Sequence, residues 1–429
     1  MAKGKVLVTR MHGKVLTLLM ENKRLISVSA GSEEQKISVG NIYIAKVQNI
    51  VENIQAAFVE IEKGVLCYLP LSDVIAPIIT GQRTWDGKLR AGDELLVQVE
   101  REALKTKPPA VTTNLSLAGE YMVLTLDHQK SNHTLGKVAF SSKLSKEKRK
   151  QLQDIFVQNN LIDDEGFLTL PKEISIPSFL ETSHAYGAVV RTNAASMTED
   201  CTLLLSEWQQ LLGEFSKLLS IANYRTCFVC LKSAPQSYMR ALQDLYHESY
   251  DEIITDEEDL YQEILDWSQG TVNVPVRHYT DDALPLAKLY SIESRLKEAL
   301  QTRVWLKSGG YLVIEHTEAL TVIDVNTGKY DAKRACLDET FYKINSEAAK
   351  EIALQLRLRN LSGIIIVDFI TMESQQACEK LMQELRAYVK TDPVQTSVVD
   401  MTGLGLVEIT RKKINKTLRE QLGYETHQI

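Results

Sequence analysis

Cysteine is scarce in this chain, with six residues at positions 67, 201, 227, 230, 336 and 378 among 429. Their scatter offers no disulfide framework and suits a reducing compartment. One Cys-x-x-Cys occurs, Cys227-Phe-Val-Cys230, but no second cysteine pair or His cluster offers zinc its other ligands. Buried small side chains inside a strand over 226–231 are the simpler expectation. No run of about 18 apolar residues is present, which excludes a membrane-spanning helix. The opening Met1-Ala-Lys-Gly-Lys5 leads into a Val/Leu strand rather than a signal peptide, so the expected location is the cytoplasm. P-loop, glycine-rich dinucleotide, Gly-x-Ser-x-Gly and heptad patterns are also missing. Positive charge is short as well: 49 Lys and Arg against 56 Asp and Glu give a net charge of −7. That balance argues against uniform electrostatic coating of nucleic acid but is compatible with local basic grooves.

What is present is enough chain for two to four domains, with 44% apolar and 24% charged residues, the composition of an ordinary soluble protein. The most informative stretch runs from Gly309 to Phe369. Residues 311–328 hold two β-branched runs joined by a short polar turn and ending at Asp324 and Asn326. A second strand is Gly363-Ile-Ile-Ile-Val-Asp368. Between them, Phe341, Ile344, Ala348, Ile352 and Leu356 follow a helical period, with Asp338 or Thr340 as cap. Strand, helix and strand in that order make two parallel neighbours through a right-handed crossover. Asp324 and Asp368 then fall side by side at one edge of a sheet. Two carboxylates held together repel unless they share a proton or a cation lies between them. With Asn326 adding a neutral oxygen, the set suits magnesium better than zinc. The alternative is that both Asp residues simply end strands and accept backbone amides.

Elsewhere, residues 3–30 read as a β-meander whose partner strands lie later in the chain. From Val39 to about Gly119, five short strands with turn residues between them suggest a small closed barrel of the OB type. A strand at Tyr121–Leu126 follows, then a helix over 145–159 whose Lys146–Lys150 run is most simply a solvated face, with a basic RNA-facing patch as the alternative. A strand at 185–192 precedes a long helix over 198–219. Helices near 236–248, 257–269 and 286–300, a strand at 272–278, and strands at 394–399 and 405–409 complete the reading.

Six phrases, in order, carry a resemblance. Ser308-Gly-Gly310, Glu315-His-Thr-Glu-Ala-Leu320, Ile323-Asp-Val-Asn326, Asn345-Ser-Glu-Ala-Ala349, Gln355-Leu-Arg-Leu-Arg359 and Ile366-Val-Asp-Phe-Ile370 resemble the catalytic domain of the bacterial ribonuclease E/G family. The resemblance covers nearly all of residues 1–415. It implies a multidomain α/β chain: an RNase H-like scaffold split between 1–36 and 229–298, an S-one-type OB-fold RNA-binding barrel at 37–119, a 5′-sensor subdomain at 120–228, and a DNase I-like catalytic subdomain at 299–429. The implied activity is a magnesium-dependent endoribonuclease that cuts single-stranded RNA in rRNA and mRNA processing and decay. Asp324 and Asp368 would bind the metal and Asn326 would support the site.

Phe58, Lys107 and Tyr68, the last standing where the family usually has Phe, match positions that contact RNA. By pattern alone Phe58 fits a barrel core equally well. Arg191 and Thr192, with backbone near Gly119 and Val123, match the family's reader of a 5′-monophosphate; alone they would be a strand end with an exposed Arg. Arg411 matches a basic residue facing the scissile phosphate, or else belongs to a solvated basic run with Lys412 and Lys413. Lys329 is a further candidate RNA contact. No cysteine follows Arg411, so the zinc link and small terminal domain of the relatives are expected to be missing. A homodimer is then favoured over a tetramer, and the alternative function is a catalytically weak RNA-binding or assembly protein of the same fold.

Overall fold

The computed structural model describes residues 4–32, 37–75, 77–80, 83, 85–103, 107–128, 135–169, 184–196, 202–245, 250–271, 274–328 and 337–424. Lys329 lies outside them. The chain forms two compact units, Met1–Glu33 with Ser249–Ile429, and Glu34–Glu248. Among the described residues no helix is long and apolar enough to cross a membrane.

The first unit opens with β1 (Gly4–Met11), β2 (Lys14–Glu21) and β3 (Arg24–Gly31), an antiparallel meander. Its two-residue turns, His12-Gly13 and Asn22-Lys23, have positive φ throughout, the twist that lets a tight hairpin close without splaying its strands.

The second unit holds a barrel and a smaller sheet. The barrel strands are β4 (Ile42–Val51), β5 (Ala56–Glu62), β6 (Val65–Pro70), β7 (Ile79–Thr80), β8 (Glu94–Arg101) and β9 (Ala110–Thr112). Five of them close in the order β4-β5-β6-β9-β8 and back to β4, an OB-like arrangement, with Val59, Ile61, Cys67, Leu69 and Val97 in its core. The smaller sheet comprises β10 (Ser116–Ala118), β11 (Met122–His128), β12 (Leu135–Phe140) and β13 (His184–Val190), ordered β10-β11-β13-β12. Helices α1 (Lys146–Gln158) and α2 (Thr202–Ala222) share its core through Phe156, Trp208 and Phe215. Strand β14 (Val229–Lys232) pairs with β4, so this segment, grouped by sequence with residues up to 298, extends the barrel sheet instead. Its start also differs from expectation: Phe228 has φ 69, and Cys227 and Cys230 are half-buried rather than interior. Helix α3 (Ser237–Asp244) ends the unit.

Back in the first unit, β15 (Tyr250–Thr255) runs parallel to β1 and to β16 (Val276–His278), giving the order β16-β15-β1-β2-β3. Helix α4 (Glu258–Thr271) links the two. The helix expected over 286–300 is two, α5 (Leu286–Leu289) and α6 (Ile292–Ala299), because Ser291 takes a left-handed conformation between them. The last sheet comprises β17 (Arg303–Trp305), β18 (Tyr311–His316), β19 (Leu320–Asn326), β20 (Gly363–Asp368), β21 (Thr396–Met401) and β22 (Leu406–Arg411). Its order is β17-β18-β19-β20-β22-β21. Helices α7 (Leu337–Leu358) and α8 (Gln375–Val389) lie against it, and a short α9 (Leu418–Leu422) closes with a capping box at Thr417.

Candidate nuclease site and RNA-contact surfaces

The last sheet has two chemically different faces. Leu312, Ile314, Ile323, Val325, Ile365, Val367, Val407 and Ile409 point into one core with Ile344, Ala348, Ile352 and Leu356 of α7 and Leu381 and Leu385 of α8. Strand periodicity of two sends the alternate residues to the opposite face. There, β19 and β20 are parallel neighbours, and Asp324 is the register partner of Asp368. Adjacent strands lie about 4.8 Å apart, so the carboxylates stand side by side. Asn326 Nδ2 donates to Asp324 Oδ2 at 2.6 Å, which fixes the amide beside the pair. Among the described residues neither Asp forms an ion pair with a Lys, Arg or His, and no three His, Cys, Asp or Glu side chains converge as a metal cluster. Two unpaired carboxylates with one amide oxygen therefore fit a cation that keeps most of its water shell, as magnesium does.

The surrounding backbone is held by residues of the quoted phrases. Asn345, fully buried on α7, donates from Nδ2 to Ile370 O at 2.8 Å and accepts from Ile370 N at 3.1 Å, anchoring the chain just after Asp368. Glu347 accepts from Lys307 N and Ser308 N at 2.7 and 3.1 Å. At Gly310 a Cβ would lie 2.8 Å from Asn326 O, so only glycine lets the turn approach the strand that carries the site. Asp338 does not cap α7; it lies in the first turn and accepts from Glu373 N and Ser374 N, tying α7 to the start of α8.

On the barrel, Phe58 and Tyr68 are register partners with ring centroids 6.2 Å apart in an edge-on arrangement. Their neighbours Val59, Cys67 and Leu69 are fully buried, so the two half-exposed rings are on the outer face and Phe58 is not part of the barrel core. Exposed Lys107 is close in sequence to Pro109, whose carbonyl accepts from Tyr68 N at 2.8 Å. Aromatic faces combined with basic side chains are the usual equipment for unpaired nucleotides.

On the smaller sheet, Arg191 follows β13. Its Nη1 donates to Gly119 O at 2.7 Å and its Nη2 meets Asp244 Oδ1 at 2.7 Å. Thr192 Oγ1 is 2.9 Å from Ser141 Oγ, and Val123 is paired with Ala118 and Val189. Gly119, Arg191 and Thr192 thus share one end of the sheet. A carboxylate already stands there: Glu207 of α2 accepts from the backbone N–H groups of Glu120, Tyr121 and Met122. A Cβ at Gly119 would sit 2.5 Å from that carboxyl group. Burial, against the pull of the three N–H groups, raises the Glu207 pKa above the ordinary value.

A model described as the Ribonuclease E/G family matches residues 116–414. Ribonuclease G of Escherichia coli is 30% identical over 408 residues, covering 91% of this chain and 76% of that protein. The chain belongs to the ribonuclease E/G family. Ribonuclease G of Haemophilus influenzae is 29% identical over 416 residues, covering 94% of this chain and 78% of the relative. Ribonuclease E of a Synechocystis species is 31% identical over 431 residues, 97% of this chain but 58% of its own length. Membership of the ribonuclease E/G family makes the chain an endoribonuclease.

Arg411 departs from its expected place. It lies on the core side of β22, 3% exposed, with Nε 2.7 Å from Asp392 Oδ2 and Nη1 donating to Asn360 Oδ1 and Leu361 O at 2.7 and 3.0 Å. Val407, Ile409 and Arg411 alternate along the strand, so the arginine points inward with them and its guanidinium is spent on the interior rather than offered to a phosphate. The Gln355-Leu-Arg-Leu-Arg359 phrase is likewise a buried ladder: Gln355 donates to Glu351 and Arg359 donates to Gln355, at 2.8 and 2.7 Å. Glu207 and Asp244 had no signal in the local sequence, because each acts on a partner at least 53 residues away.

Proposed function

We propose that this member of the ribonuclease E/G family hydrolyses single-stranded RNA at the Asp324–Asp368 pair with magnesium, acting in rRNA and mRNA processing and decay. The observation that carries this reading is the register pairing of two carboxylates that, among the described residues, form no ion pair with a cationic side chain, beside the tethered amide of Asn326. Asp324 and Asp368 would hold the cation, and Asn326 would support the site with its amide oxygen. Magnesium bound there would polarise the phosphodiester and lower the pKa of a bound water. Water attacks phosphorus, the bond to the 3′-oxygen breaks, and the downstream product keeps a 5′-phosphate. Phe58, Tyr68 and Lys107 hold unpaired nucleotides of the same substrate by stacking and phosphate neutralisation.

Arg191 and Thr192 are assigned to the substrate's 5′-monophosphate. Asp244 is 69% exposed, so its ion pair with Arg191 is weak enough for a terminal phosphate to take its place on the guanidinium fork. Incubating labelled single-stranded RNA with the protein in magnesium or in EDTA tests the proposal. Cutting confined to the magnesium reaction supports it; binding without cutting in both assigns an RNA-binding role instead.

A further inference from the structure

The face of the sheet that carries Asp324 and Asp368 also carries an aromatic pair at its edge, an exposed Trp305 beside a half-buried Tyr311. Trp305 on β17 is 63% exposed, although a fully buried indole would remove far more apolar surface from water. Its ring lies 5.2 Å from that of Tyr311 on β18, inclined by 59°. The Arg303 guanidinium sits 4.5 Å from the Tyr311 ring centroid and 5.8 Å from that of Trp305. Register sets where this group stands. Trp305 pairs with Tyr311 and Tyr311 with Asn326, making one cross-strand row. Arg303 pairs with Val313, Val313 with Asp324, and Asp324 with Asp368, making the next. Directly paired residues share a face, so the aromatic pair and the two carboxylates do. With strands about 4.8 Å apart, Trp305 stands roughly 10 Å from Asn326.

We propose that Trp305, backed by Tyr311 and Arg303, is a stacking platform for an unpaired base of the RNA strand lying across the Asp324–Asp368 pair. The inference rests on the reading of that pair as the cleavage site. The charge of the face selects the occupant. Among the described strand residues, Asp324, Asp368, Glu315 and Glu408 share it with one arginine, Arg303, so phosphate attraction is weak there. A strand held on this face needs affinity from its bases. Every base has a π-face, and an exposed indole steadied by a second ring and a guanidinium supplies the matching surface. A duplex hides its base faces and has nothing to stack there.

The test reads binding, not cleavage: full chain, EDTA, and anisotropy of a labelled single-stranded RNA. Trp305→Ala should weaken binding by between about five- and one-hundred-fold, the range for loss of one base stack. Trp305→Phe should stay within about threefold of the parent. That factor should be the same at low and high salt, because stacking releases no counterions, and it should be absent for a duplex. Should Trp305→Ala fail to fold, the parent and Trp305→Phe are compared on RNAs with one abasic nucleotide stepped along the whole strand; one position should then weaken both equally to the level of the missing stack. Unchanged single-strand affinity in a folded Trp305→Ala, an equal loss for duplex, or no sensitive abasic position would overturn the platform. Because no arm needs magnesium or turnover, those results would leave the assignment of Asp324 and Asp368 untouched, and inactive carboxylates would leave the binding result readable.

Discussion

Replacing Arg411 by Ala separates an interior role from an RNA contact. The Arg411 and Asp392 side chains are 2% and 4% exposed, and Asp392 also accepts from Val394 N at 2.9 Å and Thr396 Oγ1 at 3.2 Å. Removing the guanidinium leaves the carboxylate buried without its counter-charge and strips Asn360 Oδ1 and Leu361 O of a donor. Truncating one partner of a buried pair costs about 3–5 kcal/mol. With a urea m-value of about 2–3 kcal/mol/M, the transition of the unit holding β22 should move down by roughly 1–2.5 M. Replacing both members, as Arg411→Met with Asp392→Leu, should recover most of the loss, since a packed apolar pair of similar volume is often neutral. Urea unfolding followed by circular dichroism measures the shift, and RNA anisotropy at low temperature measures binding by the folded fraction. A variant as stable as the parent but defective in RNA binding would refute the reasoning and return Arg411 to the substrate.

Two further outcomes follow from charge. RNA with a 5′-monophosphate should be cut about tenfold faster than the 5′-hydroxyl form, as one charge-assisted bond allows when expressed in the transition state, and Arg191→Gln should remove the difference while leaving 5′-hydroxyl cleavage nearly unchanged; equal sub-saturating rates for both RNAs with the unmodified protein would sink the sensor assignment. Hydrogen bonds from Arg10 hold the Asp259 carboxyl at a pKa of about 2, below the ordinary 3.9 or so. Its contribution to stability is therefore present above the unfolded-state value and lost as pH falls towards 2, and with Asp259 61% exposed it amounts to less than about 1 kcal/mol. Carbon-detected NMR titration should show Arg10→Gln restoring an ordinary pKa.

The legible parts of the molecule are those whose cause is local. Alternation along 320–326 and 363–368 and the helical period through Ile344, Ala348 and Ile352 were enough to pair Asp324 with Asp368. Arg411 was legible too, had the alternation Val407, Ile409, Arg411 been weighed above the basic run that follows it. Other features depend on distant partners. Glu207 reaches backbone amides more than 80 residues earlier, and β14 joins the barrel only because β4 offers it an edge. The break at Ser291 rests on one left-handed residue that is not glycine, and such a conformation leaves no compositional trace.

Whether Asp324 and Asp368 perform the cleavage is decided by turnover of a single-stranded RNA in magnesium by Asp324→Asn, Asp368→Asn and the double variant, each with its RNA affinity measured in parallel. Cleavage should fall by orders of magnitude for each single change, with little further loss in the double variant because the pair acts as a unit, and RNA affinity should stay close to that of the parent. Undiminished cutting by the highly purified double variant would contradict their assignment to the chemistry.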